Sequence, residues 1–260
     1  SPSAIDPGND KPRVEVIAHR GASGDAPENT FAAFELALAQ GADGIEFDVH
    51  LTRDDVPVVL HDARLERTTS GSGRIRNRTV AALAGLDAGS WFNRRFPEKA
   101  RAEFAACRIP RLDEVLNWVR ERNVHAYLEI KQTRPRYHGI EAEVLREIYR
   151  AGAQQKVTVI SFHLPTLRRI RRLDSRIVLG IDFMRPLLAI TRAQILGAGT
   201  LLPHWRSARR WWIVRAHRAG LKVIIWGLDD PRWMRRRIAD GVDGIITTFP
   251  GELRKIQNDL

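Results

Sequence analysis

Nine short runs rich in β-branched and aliphatic residues recur along the chain, and the spacing of two of them constrains the fold most. The runs are Val14–Ala18, Gly44–Val49, Val56–Leu60, Ala126–Ile130, Val157–Phe162, Ile177–Ile181, Thr200–Leu202, Val223–Trp226 and Gly244–Thr247. Amphipathic stretches separate most of them. In Phe31–Gln40, for example, Phe31, Phe34 and Leu38 share one helical face and Gly41 follows as a stop. Such alternation builds βαβ units around a parallel sheet. The second and third runs, however, are joined only by the turn Thr52–Asp55. A crossover between parallel neighbours needs about a dozen residues or more, so the third run must be the return arm of a hairpin. Eight parallel strands remain, each usually followed by a helix. The fold class is therefore α/β, a TIM (β/α)8 barrel with a small insertion after the second strand.

The insertion runs from about Thr52 to Pro110, before a helix near Leu112–Arg122. Its turn-rich Thr68–Gly73 and its aromatic Trp91 and Phe92 suit a small cap at the barrel mouth. Residues 1–13, with Pro2, Pro7, Gly8 and Pro12, read as a flexible leader, and residues 14–260 as the barrel. A single cysteine, Cys107, excludes an intrachain disulfide, and no Cys/His cluster has zinc-site spacing. No stretch is long and apolar enough to span a membrane. A cytoplasmic location is expected over a secreted or periplasmic one.

The functional groups of such a barrel project from the C-terminal strand ends. In the second run Glu46 and Asp48 alternate onto one face, and the next barrel strand adds Glu129 and Lys131. Carboxylates crowded at one mouth repel unless a cation joins them. Three carboxylates without a thiolate favour one hard divalent cation, Mg²⁺ or Ca²⁺; the alternative is ion pairing with nearby Arg or Lys. The first strand ends in His19 and Arg20, and the hairpin arm ends in His61 and Asp62. Two near-neutral imidazoles supply a general acid and a general base, while Arg20 and Lys131 offer charge to a phosphate. Together these groups make a constellation suited to cleaving phosphodiesters.

The ordered segments His19–Arg20–Gly21–Ala22–Ser23, Ala26–Pro27–Glu28–Asn29–Thr30, Gly44–Ile45–Glu46–Phe47–Asp48–Val49, Pro57–Val58–Val59–Leu60–His61–Asp62, Leu128–Glu129–Ile130–Lys131 and Asp243–Gly244–Ile245–Ile246–Thr247 resemble glycerophosphodiester phosphodiesterases from about Val14 to Pro250. The resemblance implies a metal-dependent TIM-barrel hydrolase that cuts glycerophosphodiesters to glycerol 3-phosphate and an alcohol. It implies His19 and His61 as the acid/base pair, Glu46, Asp48 and Glu129 as metal ligands, and Arg20 and Lys131 as phosphate-binding groups. Phe162 and Trp226 match pocket-lining aromatic positions, with ordinary core packing as the alternative. Asn29 or Thr30 either belongs to the site or caps the following helix.

The chain departs from the family pattern at Asp54–Asp55, where the hairpin turn usually carries Asp-Gly. It departs again at His163, at Trp226–Gly227–Leu228–Asp229 and at Thr248–Phe249 before Pro250, positions that bear on the choice of alcohol. A lysophospholipase D or sphingomyelinase D-like activity on lysolipids is the alternative. Serine-hydrolase elbow, phosphate-binding Walker and dinucleotide-binding motifs are absent.

The net charge of +11 is uneven: residues 1–130 hold 17 basic and 20 acidic side chains, and residues 131–260 hold 25 and 11. Much of the excess lies in Arg168, Arg169, Arg171, Arg172, Arg206, Arg209, Arg210, Arg215, Arg218, Arg232, Arg235, Arg236 and Arg237. These fall in expected helical segments, hence on the outer ring, where most cannot reach substrate. The expected partner is a small-molecule glycerophosphodiester, not nucleic acid, with peripheral contact to an anionic membrane as the surface's one functional use. The oligomeric state is left open by the sequence.

Overall fold

The computed structural model describes residues 13–260. The expected leader lies, apart from Arg13, outside the described residues. Nine strands are present among them: β1 (Glu15–His19), β2 (Gly44–Leu51), β3 (Pro57–Val59), β4 (His125–Ile130), β5 (Val157–Ser161), β6 (Val178–Phe183), β7 (Thr200–Pro203), β8 (Lys222–Trp226) and β9 (Gly244–Thr247). Eight pair in parallel in the order β1, β2, β4, β5, β6, β7, β8, β9, and β9 returns to β1 to close the barrel. The ninth, β3, runs antiparallel to β2 with Val49 opposite Val59, so the hairpin expected from the short turn is there. Asp55 takes the left-handed backbone (φ 59°) that this turn requires, and the Thr52 hydroxyl bonds to both Asp54 and Val56 across it.

The barrel connections carry α1 (Phe31–Ala39) after β1, and the insertion carries α2 (Val80–Leu83) and α3 (Ser90–Arg95). Next come α4 (Leu112–Arg122), α5 (Ile140–Arg150), α6 (Leu164–Leu173), α7 (Ala189–Leu196), α8 (Arg210–Arg218), α9 (Pro231–Ala239) and α10 (Pro250–Asn258). Helix α1 buries Ala33, Phe34 and Ala37, with Phe31 and Leu38 at the edge of that face. Phe34 sits 6.1 Å from Phe47 of β2 and 5.7 Å from Trp118 of α4, locking helix to barrel. Truncating such a fully buried ring to alanine costs about 3–5 kcal/mol. No described helix is long and apolar enough to cross a membrane.

Inside the barrel, Ile17, Tyr127, Ile160, Leu202, Ile224 and Ile246 form a filled middle layer. Below it lies a polar layer in which the Tyr127 hydroxyl donates to Glu15 at 2.8 Å and His125 pairs with Thr158 at 2.9 Å. Gly180 is needed here because a Cβ on it would lie 2.5 Å from Leu202 Cδ1. The packed middle layer makes a floor, so the C-terminal strand ends open as a mouth on one side only.

The insertion rejoins the hairpin where Val59 N donates to Pro110 O at 2.8 Å. Leu65, Ile75, Leu83 and Ile109 pack against Val58 and Leu60. Phe92 and Phe104 cluster with Ala26 and Ala33. The insertion thus seats on the loops after β1 and β4, with its Lys99 also over the Phe249 ring that follows β9, and leaves the β5–β8 side of the mouth uncovered.

Candidate active site

Strand register assembles the acidic cluster. His19 pairs with Glu46 across β1 and β2, and Asp48 pairs with Glu129 across β2 and β4, so all four stand at the mouth. Leu60 N donates to Asp48 O at 3.1 Å, which brings the following His61 to the same level. The sequence-expected His19, Arg20, Glu46, Asp48, His61, Glu129 and Lys131 therefore converge on one chamber, although they come from four separate segments.

The turn after β1 explains the His–Arg–Gly order. Arg20 adopts a left-handed backbone (φ 58°), and its N–H bonds to both the Glu46 carbonyl (2.8 Å) and Glu46 Oε2 (3.1 Å). Gly21 follows at φ 82°, where a Cβ would lie 2.6 Å from Ala33. A side chain is excluded there by both backbone conformation and space. Thr30 caps α1 by accepting from Ala33 N, whereas Asn29 belongs to the site: its Nδ2 donates to Asp48 Oδ2 at 2.9 Å.

Asp48 is enclosed by cations. Lys131 Nζ lies 3.0 Å from Oδ1 and Arg20 Nε 3.2 Å from Oδ2. Burial opposes its charge, but Lys131 and Arg20 outweigh that penalty and hold Asp48 far below the usual carboxylate range. Lys131 also donates to Glu129 Oε2 at 2.7 Å. Arg20 and Lys131 thus bond first to the acidic cluster, with their charge still at the chamber.

Glu46, Asp48 and Glu129 each offer an oxygen within 4.8 Å of the others. Burial, reinforced by Asp48 and Glu129, pushes the Glu46 carboxyl well up, and burial also raises Glu129. Buried acids driven upward beside one held ionised mark a site short of positive charge. An all-oxygen donor set of this kind fits a hard divalent cation.

Both imidazoles are neutral at pH 7. Burial lowers His19 to about 3, with Arg20 adding to the effect, and its Nε2 lies 3.8 Å from Glu46 Oε2. Burial also lowers His61. His61 Nδ1 lies 2.6 Å from Asp62 Oδ1, an acceptor, so the proton resides on Nδ1 and Nε2 is left for substrate. Asp62 is held at about 2, chiefly by its bond from Arg67. Arg67, from the insertion, also grips Glu28 through two bonds of 2.8 Å, and Glu28 accepts from Arg20 Nη1 at 3.0 Å. A chain of hydrogen bonds therefore runs from His61 through Asp62, Arg67 and Glu28 to Arg20, whose guanidinium forms an ion pair with Asp48.

Phe162 and Trp226 meet edge to face at 5.5 Å on the far wall of the mouth. Trp226 donates its indole N–H to Leu202 O at 2.9 Å, while Phe162 is 46% exposed. Trp226 is thus partly core and Phe162 is rim.

Two participants escaped the sequence reading. Arg67 reaches the site only through tertiary folding of the insertion. Asp182 is a fourth buried carboxyl, on β6 two residues after the inward-facing Gly180. Its Oδ2 is buried with no hydrogen-bond partner, and burial, followed by Glu129, raises its pKa well above the usual range. The expected sixth run, Ile177–Ile181, stops one residue short of Asp182, while the strand continues to Phe183.

A closed barrel whose mouth gathers a buried carboxylate triad able to hold a cation, two imidazoles and two basic side chains fits a hydrolase of the phosphodiesterase class. Residues 19–252 match the model of the glycerophosphoryl diester phosphodiesterase family. The chain belongs to that family, and it is an enzyme of the phosphoric diester hydrolase class. It is 36% identical over 239 residues to a glycerophosphodiester phosphodiesterase of Caldanaerobacter subterraneus subsp. tengcongensis, covering 92% of this chain and 95% of that one. It is 30% identical over 261 residues to a glycerophosphodiester phosphodiesterase of Bacillus subtilis, covering 94% and 87%. Among solved structures, an Oleispira antarctica phosphodiesterase in complex with the product sn-glycerol-3-phosphate superposes with a TM-score of 0.83 at 29% identity, covering 94% of this chain and 96% of that one. The glycerophosphodiester phosphodiesterase of Agrobacterium tumefaciens gives 0.80 at 31% identity, covering 94% and 100%.

Proposed function

We propose that the protein hydrolyses glycerophosphodiesters to glycerol 3-phosphate and an alcohol, with Mg²⁺ or Ca²⁺ held by Glu46, Asp48 and Glu129. The observation that carries this reading is the acidic triad, its ligand atoms mutually within 4.8 Å, at the same mouth as two neutral imidazoles. The product found in the Oleispira phosphodiesterase supports the glycerol side of the substrate. A bound divalent cation would neutralise phosphate charge and make phosphorus more electrophilic.

The chain's own groups do the rest. Arg20 and Lys131 present positive charge to the phosphate oxygens. One imidazole takes the nucleophile's proton as the new P–O bond forms. The other must act as an imidazolium, protonated when the anionic phosphodiester is bound, and gives that proton to the departing alcohol oxygen as its P–O bond breaks; the leaving group departs neutral and the imidazole returns to its neutral form. Asp62 fixes the His61 tautomer for this task. The nucleophile is water or the glycerol 2-hydroxyl, the latter passing through a cyclic phosphate that water then opens. The Asp182 carboxyl, without a partner of its own, is placed to bond a glycerol hydroxyl. Phosphorus NMR of glycerophosphocholine turnover tests the reaction: glycerol 3-phosphate must appear and must cease to appear on chelation.

A second reading, lysophospholipase D or sphingomyelinase D-like cleavage of lysolipids, draws support from exposed Phe162 on the uncovered side of the mouth. Choline release from lysophosphatidylcholine exceeding that from glycerophosphocholine would favour it.

A further inference from the structure

Helices α7, α8 and α9 begin where β6, β7 and β8 end, so their first turns stand at the same end of the barrel as Glu46 and Asp48. This alters the reading of the arginine excess. Arg206 and Arg209 lie in the loop before α8 rather than in a helix, and Arg210 and Arg232 open α8 and α9. These four belong to the mouth, not to the distant outer ring.

The same rim is apolar. Of the twelve exposed large apolar side chains among the described residues, six stand here: Phe162, Met184, Leu187, Leu188, Trp211 and Trp233. Leu187 is 75% exposed and Trp211 62%. The loops that carry them are tied into one surface. Ser207 donates to Met184 O at 2.5 Å, the Trp205 and Trp233 rings lie 5.1 Å apart, and the Arg206 guanidinium sits 5.1 Å over Trp205. Asp230 and Asp240 are already paired with Arg232, Arg236 and Arg237. Arg185, Arg206, Arg209 and Arg210 are exposed and enter no ion pair among the described residues.

We propose that this rim docks the enzyme, mouth down, on an anionic lipid bilayer. Free arginines match anionic headgroups, indole rings settle at the headgroup level, and aliphatic side chains at a loop tip enter the acyl boundary. Leu187 and Leu188 have no use in nucleic-acid binding, which calls for cations and stacking surfaces. Two copies of so basic a rim repel one another, which argues against a second copy as the occupant. The proposal rests on the phosphodiesterase reading for its purpose and extends it: a docked mouth brings the chamber to the phosphodiester of a lysophospholipid.

Co-sedimentation with phosphatidylcholine vesicles, with and without phosphatidylglycerol, tests the docking. The wild-type chain should bind the mixed vesicles and leave the neutral ones. The variant L187D/L188D should lose about tenfold or more in partitioning, and R209E/R210E should lose the dependence on phosphatidylglycerol. Aspartate suits the left-handed backbone (φ 58°) that Leu188 adopts, so that variant should fold. Both variants should hydrolyse soluble glycerophosphocholine within about twofold of wild type, since neither touches the chamber. Equal binding to neutral vesicles, or unchanged binding by both variants, would overturn the proposal. So would a shift from dimer to monomer in L187D/L188D without lipid, or displacement from the vesicles by duplex RNA. Vesicle binding by a wild-type chain that leaves glycerophosphocholine intact would instead sink the reaction and leave the docking standing.

Discussion

Arg67 closes a two-pronged bond on Glu28, Nη1 to Oε2 and Nη2 to Oε1, each at 2.8 Å. The pair joins the insertion to the loop after β1, and through Asp62 and Arg20 it couples the orientation of one imidazole to that of the acidic cluster. The insertion is thus more than a cover for one side of the mouth: it holds His61 and the acidic cluster in mutual register.

That coupling predicts that Arg67→Ala lowers kcat about 10–100-fold, since both His61 and Arg20 lose a positioning partner. Arg67→Lys should recover little, because an ammonium cannot serve Glu28 and Asp62 in the same forked geometry. Steady-state kinetics on glycerophosphocholine checks this, with retention of a cooperative urea transition as the control for folding.

Asn29→Ala removes the donor that steadies Asp48 Oδ2, and it should weaken divalent-cation affinity about tenfold. Calorimetric titration of the metal-stripped protein with Mg²⁺ and Ca²⁺ reads this directly. Unchanged affinity would remove Asn29 from the site.

Asp182→Asn should raise KM for glycerophosphocholine by about tenfold, the value of one hydrogen bond between a hydroxyl and a carboxyl. A synthetic phosphodiester without glycerol should be cleaved at nearly the wild-type rate. Equal losses on both substrates would place Asp182 with the metal site instead.

His50 is 2% exposed, bonds Tyr137 and the His61 carbonyl at 2.9 Å each, and is lowered by burial to about 4. Its folded pKa lies below its unfolded one, so the folded protein binds fewer protons and loses stability as pH falls below about 6.5. At pH 5 the loss from this residue is about 2 kcal/mol relative to pH 7. Urea midpoints at the two pH values should differ accordingly, and His50→Gln should flatten the dependence.

How much was legible depended on whether the signal was local. The short turn Thr52–Asp55 forced a hairpin, the alternation along β2 and β4 put Glu46, Asp48 and Glu129 on one face, and the structure keeps all of that. Arg67 was invisible because its partners lie 39 and 5 residues away, across a fold that only the packed insertion creates. Asp182 follows Ile181, where β-branched character fades in the sequence but the strand continues to Phe183. Arg206 and Arg209 were misplaced because composition marks a basic segment without showing which end of a helix it occupies.

The central claim is a metal-dependent cleavage served by two imidazoles, one as base and one as acid, and one measurement addresses it most directly. Glycerophosphocholine turnover is followed by phosphorus NMR for wild type, His19→Ala and His61→Ala, with EDTA and then with restored Mg²⁺ or Ca²⁺. Glycerol 3-phosphate should form with wild type, stop on chelation, return with the cation, and fall about a thousandfold or more in each histidine variant. Hydrolysis that persists after chelation, or at wild-type rates in either histidine variant, would contradict the account.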